Sequence, residues 1–195
     1  MLKLYYYMGR PLMPRWLLEE MAEPYELVTF DAEKKDQKKP AYLAVNPVGK
    51  LPALEVDGRV MTEAAAIMLY LADLRPEKGF APDLKAPERG KYLTLMVHGP
   101  AAIEPAIIDQ ITKRKWTEAN GWGTIEEEFA FVEMHLGDGP WMLGERFTAA
   151  DCEIGGQLVW ATMMKLKLPP KLAGYVERLM ARPALARLFA EQGQG

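Results

Sequence analysis

A proline at the entrance to a strand is the feature that most constrains this chain. Between Asn46 and Asp73 the sequence runs NPVGKLPALEVDGRVMTEAAAIMLYLAD. Pro52 has no N–H to give to a sheet ladder, so it must take the first residue or the edge of its strand. A turn, Asn46-Pro47-Val48-Gly49, precedes it, and Asp57-Gly58 suits the type I′ turn of a tight hairpin. An almost wholly apolar helix begins directly after Thr62-Glu63. A cis Leu51–Pro52 bond would point the backbone of Leu51 outward, leaving its N–H and C=O free to pair with an extended peptide. The helix that follows offers bare N–H groups and the positive end of its dipole, which suit a carboxylate. Together these elements describe a clamp for a short acidic peptide. Pro52 also has a purely structural reading as an edge proline, and Glu63 has one as a dipole-favourable first-turn acid.

Around this stretch, the first 75 residues alternate strand and helix signals. Leu2–Tyr7 is a β-type run ended by Gly9 and Pro11, and Pro14–Met21 is a helix with Pro14 tolerated in its first turn. Tyr25–Phe30 is a second strand, Glu33–Lys39 a lysine-rich loop, and Pro40–Val45 an irregular helical turn. Pro52–Val56 pairs with Arg59–Met61, and Ala64–Leu74 is apolar enough to be buried on more than one side. Pro76, Gly79, Pro82 and Pro87 then punctuate a linker, after which every signal is helical. Gly99-Pro100 and Pro105 predict a kinked segment between Arg89 and Arg114. Thr124-x-x-Glu127 and Thr148-x-x-Asp151 are capping boxes, the second with Phe147 and Cys152 as a hydrophobic staple. Gly137 suits a helix stop, and Tyr175–Ala181 and Pro183–Ala190 finish the chain as helices. The expected organisation is an α/β domain over 1–76, a linker over 77–86 and an all-helical domain over 87–195.

Composition narrows the function by exclusion. A formal net charge of −3 and a pI near 5.6 argue against nucleic acid or an anionic membrane as the main partner. No apolar run approaches the ~18 residues of a membrane span, and MLKLYYYMGRP does not resemble a signal peptide. One cysteine, Cys152, excludes an internal disulfide framework and fits a reducing cytoplasmic setting. No His/Cys cluster suggests a metal, and no phosphate loop or Ser-His-Asp spacing is present.

Four stretches carry a resemblance that covers essentially the whole chain. NPVGKLPAL is similar to the N-P-x-G-x-V-P-x-L of glutathione S-transferases, and TEAAAIMLYLAD to the helix in that family that opens E-S-x-A-I. FTAADCEIG resembles its capping-box helix and RPALARLF its carboxy-terminal end. The resemblance implies a thioredoxin-like domain followed by an all-helical domain, assembled as a cytoplasmic homodimer that binds glutathione as co-substrate. It implies that Leu51, beside Lys50, holds the cysteinyl backbone, that Pro52 is the cis-proline, and that Glu63 and Ala64 grip the γ-glutamyl end. Ala64 stands where the family usually has serine, which keeps the backbone N–H but loses a hydroxyl contact of ~1 kcal/mol. Among Lys34, Lys35, Lys38 and Lys39, a solvated loop is the simple reading, with one of them a candidate for the glycine carboxylate.

The implied chemistry is conjugation of glutathione to a small hydrophobic electrophile, a detoxification reaction. It needs a thiolate at neutral pH although a free thiol has a pKa of ~8.5. No serine or cysteine lies between Tyr7 and Met21. KLYYYMGR resembles the tyrosine-type pattern instead, placing Tyr6 at the catalytic position with Tyr5 or Tyr7 as alternates and Arg10 raising the local potential. Strand alternation sets Tyr6 on the opposite face from Tyr5 and Tyr7. Met8, Leu12, Met96, His98 and Ile103 are the expected apolar acceptor pocket. His98 also has a plain reading as a satisfied or solvent-facing histidine, His135 as a surface one, and Cys152 as an inert core residue. A non-catalytic ligand-binding or stress-related relative, or a glutathione-dependent isomerase, peroxidase or dehalogenase, shares the same motifs.

Overall fold

The computed structural model describes residues 1–7, 12–31 and 33–192. The chain divides into two compact units, 1–78 with 184–195 and 79–183. The first unit is a four-stranded sheet of order β2-β1-β3-β4, formed by β1 (Leu2–Tyr6), β2 (Tyr25–Thr29), β3 (Ala53–Val56) and β4 (Arg59–Thr62). β1 runs parallel to β2 and antiparallel to β3, and β3 and β4 form an antiparallel hairpin. The hairpin turns on Asp57 and Gly58, both at positive φ (49° and 80°), as the Asp-Gly pair requires. This is the expected thioredoxin-like arrangement.

Alternation along β1 decides what each face does. Leu2, Leu4 and Tyr6 are buried, whereas Lys3 and Tyr5 are half-exposed. Helix α1 (Leu12–Glu20) lies on the Tyr6 side, with the Arg15 guanidinium 5.3 Å from the Tyr6 ring centroid. On the other side the Tyr5 ring meets Phe30 and Tyr42, the latter from the short helix α2 (Pro40–Leu43). Trp16, Leu17 and Leu18 of α1 have no exposed surface, each contributing roughly 1.5–3 kcal/mol by leaving water. Helix α3 (Ala64–Leu74) packs against α1 through Ile67, Met68, Leu71 and Ala72. Its apolar sequence predicted burial on more than one side; instead one stripe is buried and Ala66 is exposed. Arg75, just past α3, grips Glu23 with both Nε and Nη2. These bonds, with one from Lys78, hold the Glu23 carboxyl below its ordinary pKa.

The second unit is helical: α4 (Arg89–His98), α5 (Glu104–Thr112), α6 (Ile125–Leu136), α7 (Ala149–Met163) and α8 (Pro170–Met180). The expected kink takes the form of a five-residue π-helical stretch, Gly99–Ile103, joining α4 to α5. Both capping boxes form: Thr124 N–H donates to Glu127 Oε2 at 2.7 Å, and Thr148 N–H to Asp151 Oδ2 at 2.8 Å. Helix α9 (Pro183–Gln192) differs from expectation, because from Ala184 onward it belongs to the first unit. There it buries Ala184, Leu185 and Leu188, and Arg15 donates to Glu191 at 2.5 Å while Arg187 lies 3.8 Å from Glu19. Cys152 is buried, as a core residue should be.

Helix α7 also buries two acids, and they differ. Asp151 accepts from the amides of Met142 and Thr148 and from the Tyr175 hydroxyl, yet burial still raises its pKa to about 6. Glu153 has no exposed surface and Gln157 as its hydrogen-bond donor, while its Oε2 has no partner among the described residues. Burial pushes its pKa up to about 7 against that bond. An acid with a raised folded pKa keeps its proton longer when folded, so its stability contribution falls as pH climbs from the unfolded value toward 7. Glu153→Gln removes that loss. In chemical denaturation at pH 8 the variant should exceed the wild type by about 3 kcal/mol or less, with the gap closing near pH 4. A gap independent of pH would show that the carboxyl ionises normally.

Candidate functional site

The clamp is built from the loop that leads into β3. Leu51–Pro52 is cis, and the ladder of β3 begins one residue later, at Ala53 opposite Thr62 and Tyr5. Leu51 is half-exposed, and its N–H and C=O form no hydrogen bond with a described residue. Its main chain is thus an open strand edge one peptide long. Behind it the loop is anchored tightly. The Asn46 side chain accepts from Val48 N–H at 3.1 Å and donates to the Lys50 carbonyl at 2.9 Å. Tyr42 donates to the same carbonyl at 2.7 Å. Lys38 donates its ammonium to the Val48 carbonyl at 2.7 Å, so this lysine braces the loop. Lys34 and Lys39 pair with Asp31 and Asp36. Tyr42 and Asn46 are loop anchors that sequence reasoning missed; the turn signal at Asn46 pointed to the loop but not to what holds it.

Next to the open edge stands the start of α3. Glu63, its N-cap, is exposed and holds φ 69°, ψ 118°, a strained conformation for a residue with a Cβ, and no side chain caps the helix. The first-turn amides of Ala64, Ala65 and Ala66 therefore face outward with the positive end of the dipole, a ready site for a carboxylate. Leu51, Glu63 and Ala64 are thus brought together within one unit, and Lys50, the residue before Leu51, is exposed.

The three tyrosines at the end of β1 separate clearly. The Tyr5 hydroxyl donates to Glu55 Oε2 at 2.7 Å, and burial together with that carboxylate pushes its pKa up to about 12. Tyr6 is on the α1 face, as alternation requires, but has no exposed surface. An enclosed hydroxyl cannot meet a thiol from solvent unless its cover moves. Tyr7 is half-exposed, and its hydroxyl forms no hydrogen bond with a described residue. Met8 and Arg10 lie outside the described residues.

The residues expected in the acceptor pocket are placed differently from one another. Met96 and Ile103 have no exposed surface and Leu12 almost none, so they pack the core and give a ligand little to touch. His98 lines a groove of about 600 Å³ within the helical unit, with Thr94, Val97, Ala101, Trp122 and Glu128. Its Nε2 lies 2.5 Å from Glu128 Oε2 and its ring stacks on Phe131 at 3.8 Å. The satisfied-histidine reading fits this geometry. His135 is half-buried against the same phenylalanine. Among the described residues no cluster of His, Cys, Asp and Glu is arranged for a metal, and no helix is long and apolar enough to cross a membrane.

An α/β unit with one open peptide edge beside an uncapped helix start, in a chain that continues as a helical unit, suits the class of protein that holds small peptides by their main chain. Comparison with known proteins says which. The glutathione S-transferase N-terminal domain matches residues 1–73, and the C-terminal domain matches residues 105–190. The chain therefore belongs to the glutathione S-transferase family. It is 29% identical over 213 residues to glutathione S-transferase GstA of Escherichia coli O157:H7, covering 98% of this chain and 99% of that one. A glutathione transferase structure from Methylococcus capsulatus str. bath superposes with a TM-score of 0.84 at 32% identity over the full length of both chains. A Sulfitobacter homologue solved with bound glutathione gives 0.80 at 25% identity, covering 98% of each chain.

The anchored loop yields a direct test. Gly49 has φ +61°, and a Cβ there would stand 2.7 Å from the Gln37 carbonyl oxygen, a backbone atom that cannot swing away. Gly49→Ala should lower the unfolding free energy by about 1–3 kcal/mol, read by urea denaturation. An unchanged midpoint would mean the loop is not pinned against residues 37 and 38.

Proposed function

We propose that this glutathione S-transferase joins the thiolate of glutathione to a small apolar electrophile. The observation that carries the reading is the uncommitted Leu51 main chain beside the uncapped start of α3. A tripeptide with a γ-glutamyl end matches both: its cysteinyl backbone pairs with Leu51 as an added strand, and its α-carboxylate meets the amides of Ala64 and Ala65. Glu63, exposed at the N-cap, takes the γ-glutamyl ammonium, and Lys50 lies close to the cysteinyl end. The bound glutathione of the Sulfitobacter homologue supports this choice of ligand. No metal enters the reaction as proposed, and the working form is a cytoplasmic homodimer acting in detoxification.

The chemical step forms a sulfur–carbon bond at the electrophile, with the leaving group or an added proton balancing the charge. The protein's task is to stabilise the thiolate before attack, which a hydroxyl hydrogen bond achieves. Of the three candidate tyrosines, Tyr7 combines solvent access with an uncommitted hydroxyl, so we assign it the sulfur contact. Tyr6, enclosed beneath Arg15, takes the role if its cover opens. Arg10, by its charge, favours the anion in either case.

Thiolate absorbance of the bound glutathione, followed against pH, tests the transferase reading. The bound thiol should titrate below ~8.5, the value of a free thiol. A titration no lower than that of free glutathione overturns it. Tyr7→Phe should move the titration upward, whereas a shift seen in Tyr6→Phe alone would reassign the sulfur contact. Ala64→Ser, which adds a hydroxyl beside the γ-glutamyl carboxylate, should tighten glutathione about fivefold in calorimetry. Unaltered affinity would mean the ligand does not reach α3.

A further inference from the structure

The Lys50 carbonyl receives two donors at once, and this has a consequence for the atom on its far side. Lys50 C=O and Leu51 N–H belong to one planar trans peptide group, so their directions are opposed and rigidly linked. Whatever fixes the carbonyl therefore aims the amide. The Tyr42 hydroxyl donates to that oxygen at 2.7 Å and the Asn46 amide at 2.9 Å. Donors on a carbonyl also polarise the peptide, making its N–H a better donor in turn.

We infer that Tyr42 is a positioning residue for peptide capture, aiming and polarising the Leu51 N–H through the Lys50 carbonyl. Three features set it up for this task. Its side chain is almost fully buried, and its ring is wedged between Phe30, at 4.7 Å, and Tyr5, at 5.7 Å, so the hydroxyl has one direction to point. Burial, against an opposing bond from Asn46, pushes its pKa up to about 12, so the hydroxyl keeps the proton it must donate. Tyr5 is itself held by Glu55 of β3, which ties the wedge to the strand that the clamp precedes. Asn46 alone would satisfy the carbonyl; two donors from different elements hold it against rotation.

The inference rests on the glutathione reading, and its test separates the two. Tyr42→Phe removes one oxygen and no packing. In the ligand-free protein the Leu51 amide proton should move upfield in NMR. Glutathione should then bind about fivefold more weakly, seen as a raised KM for glutathione with kcat and the KM for the electrophile unchanged. 4-Aminophenylalanine at position 42, which restores an N–H donor, should recover the affinity. A purely structural role would lower stability without this selective split and without rescue. Should Tyr42→Phe lose its fold, 4-fluorophenylalanine fills the same space without donating. If the wild type fails to bind glutathione, the glutathione reading falls, and the Leu51 resonance in the ligand-free protein still judges Tyr42. A Leu51 amide that stays in place in every donor-less variant overturns the inference.

Discussion

A proline has no amide hydrogen, and the first unit is organised around that absence at position 52. Because Pro52 cannot join the ladder, β3 starts pairing at Ala53, with β1 on one side and β4 on the other. Leu51 is left outside the sheet, its N–H and C=O bonded to no described residue. In an ordinary strand those groups would have been consumed by a neighbour; here they form the free edge. The sheet anchors this half-exposed peptide from one side and the hydrogen-bonded turn from the other. The adjoining helix start adds charge complementarity without any further side chain.

The helical unit uses a different device, the burial of acids near a helix start. Asp151 is well supplied with donors and completes the cap of α7. Glu153 sits two residues on with much less support. A buried carboxyl so placed is tolerated because it can remain protonated. The two acids thus differ in degree: both have raised pKa values and lose stability contribution as pH climbs, but Asp151 also completes the helix cap while Glu153 has little to offset its burial.

Much of this was legible in the residues. Pro52, Asp57-Gly58 and the two capping boxes each have a local stereochemical reason, and local reasons survive folding. Alternation alone separated Tyr6 from Tyr5 and Tyr7. What the sequence could not carry was anything set by long-range packing. Met96 and Ile103 have the composition of a pocket and the position of a core, and only tertiary burial distinguishes the two. Placing α9 with the first unit rests on contacts between residues far apart in the chain, the burial of Leu185 and Leu188 and the pairing of Arg15 with Glu191 among them. Nor does anything local in Pro40–Val45 announce that the Tyr42 hydroxyl meets the Lys50 carbonyl.

Gly99 and Glu153 show how such packing narrows what the chain can become. A Cβ on Gly99 would collide with Glu153 Oε1 and stand 2.8 Å from its Cγ. The space a side chain would need at the start of the π-helical stretch is already filled by a carboxylate from α7. Neither position can therefore change freely while the other stays. A redesign that trims residue 153 opens room at residue 99, and one that enlarges residue 99 first has nowhere to put the new atoms. The order in which substitutions are made would then decide which sequences this helical unit can reach.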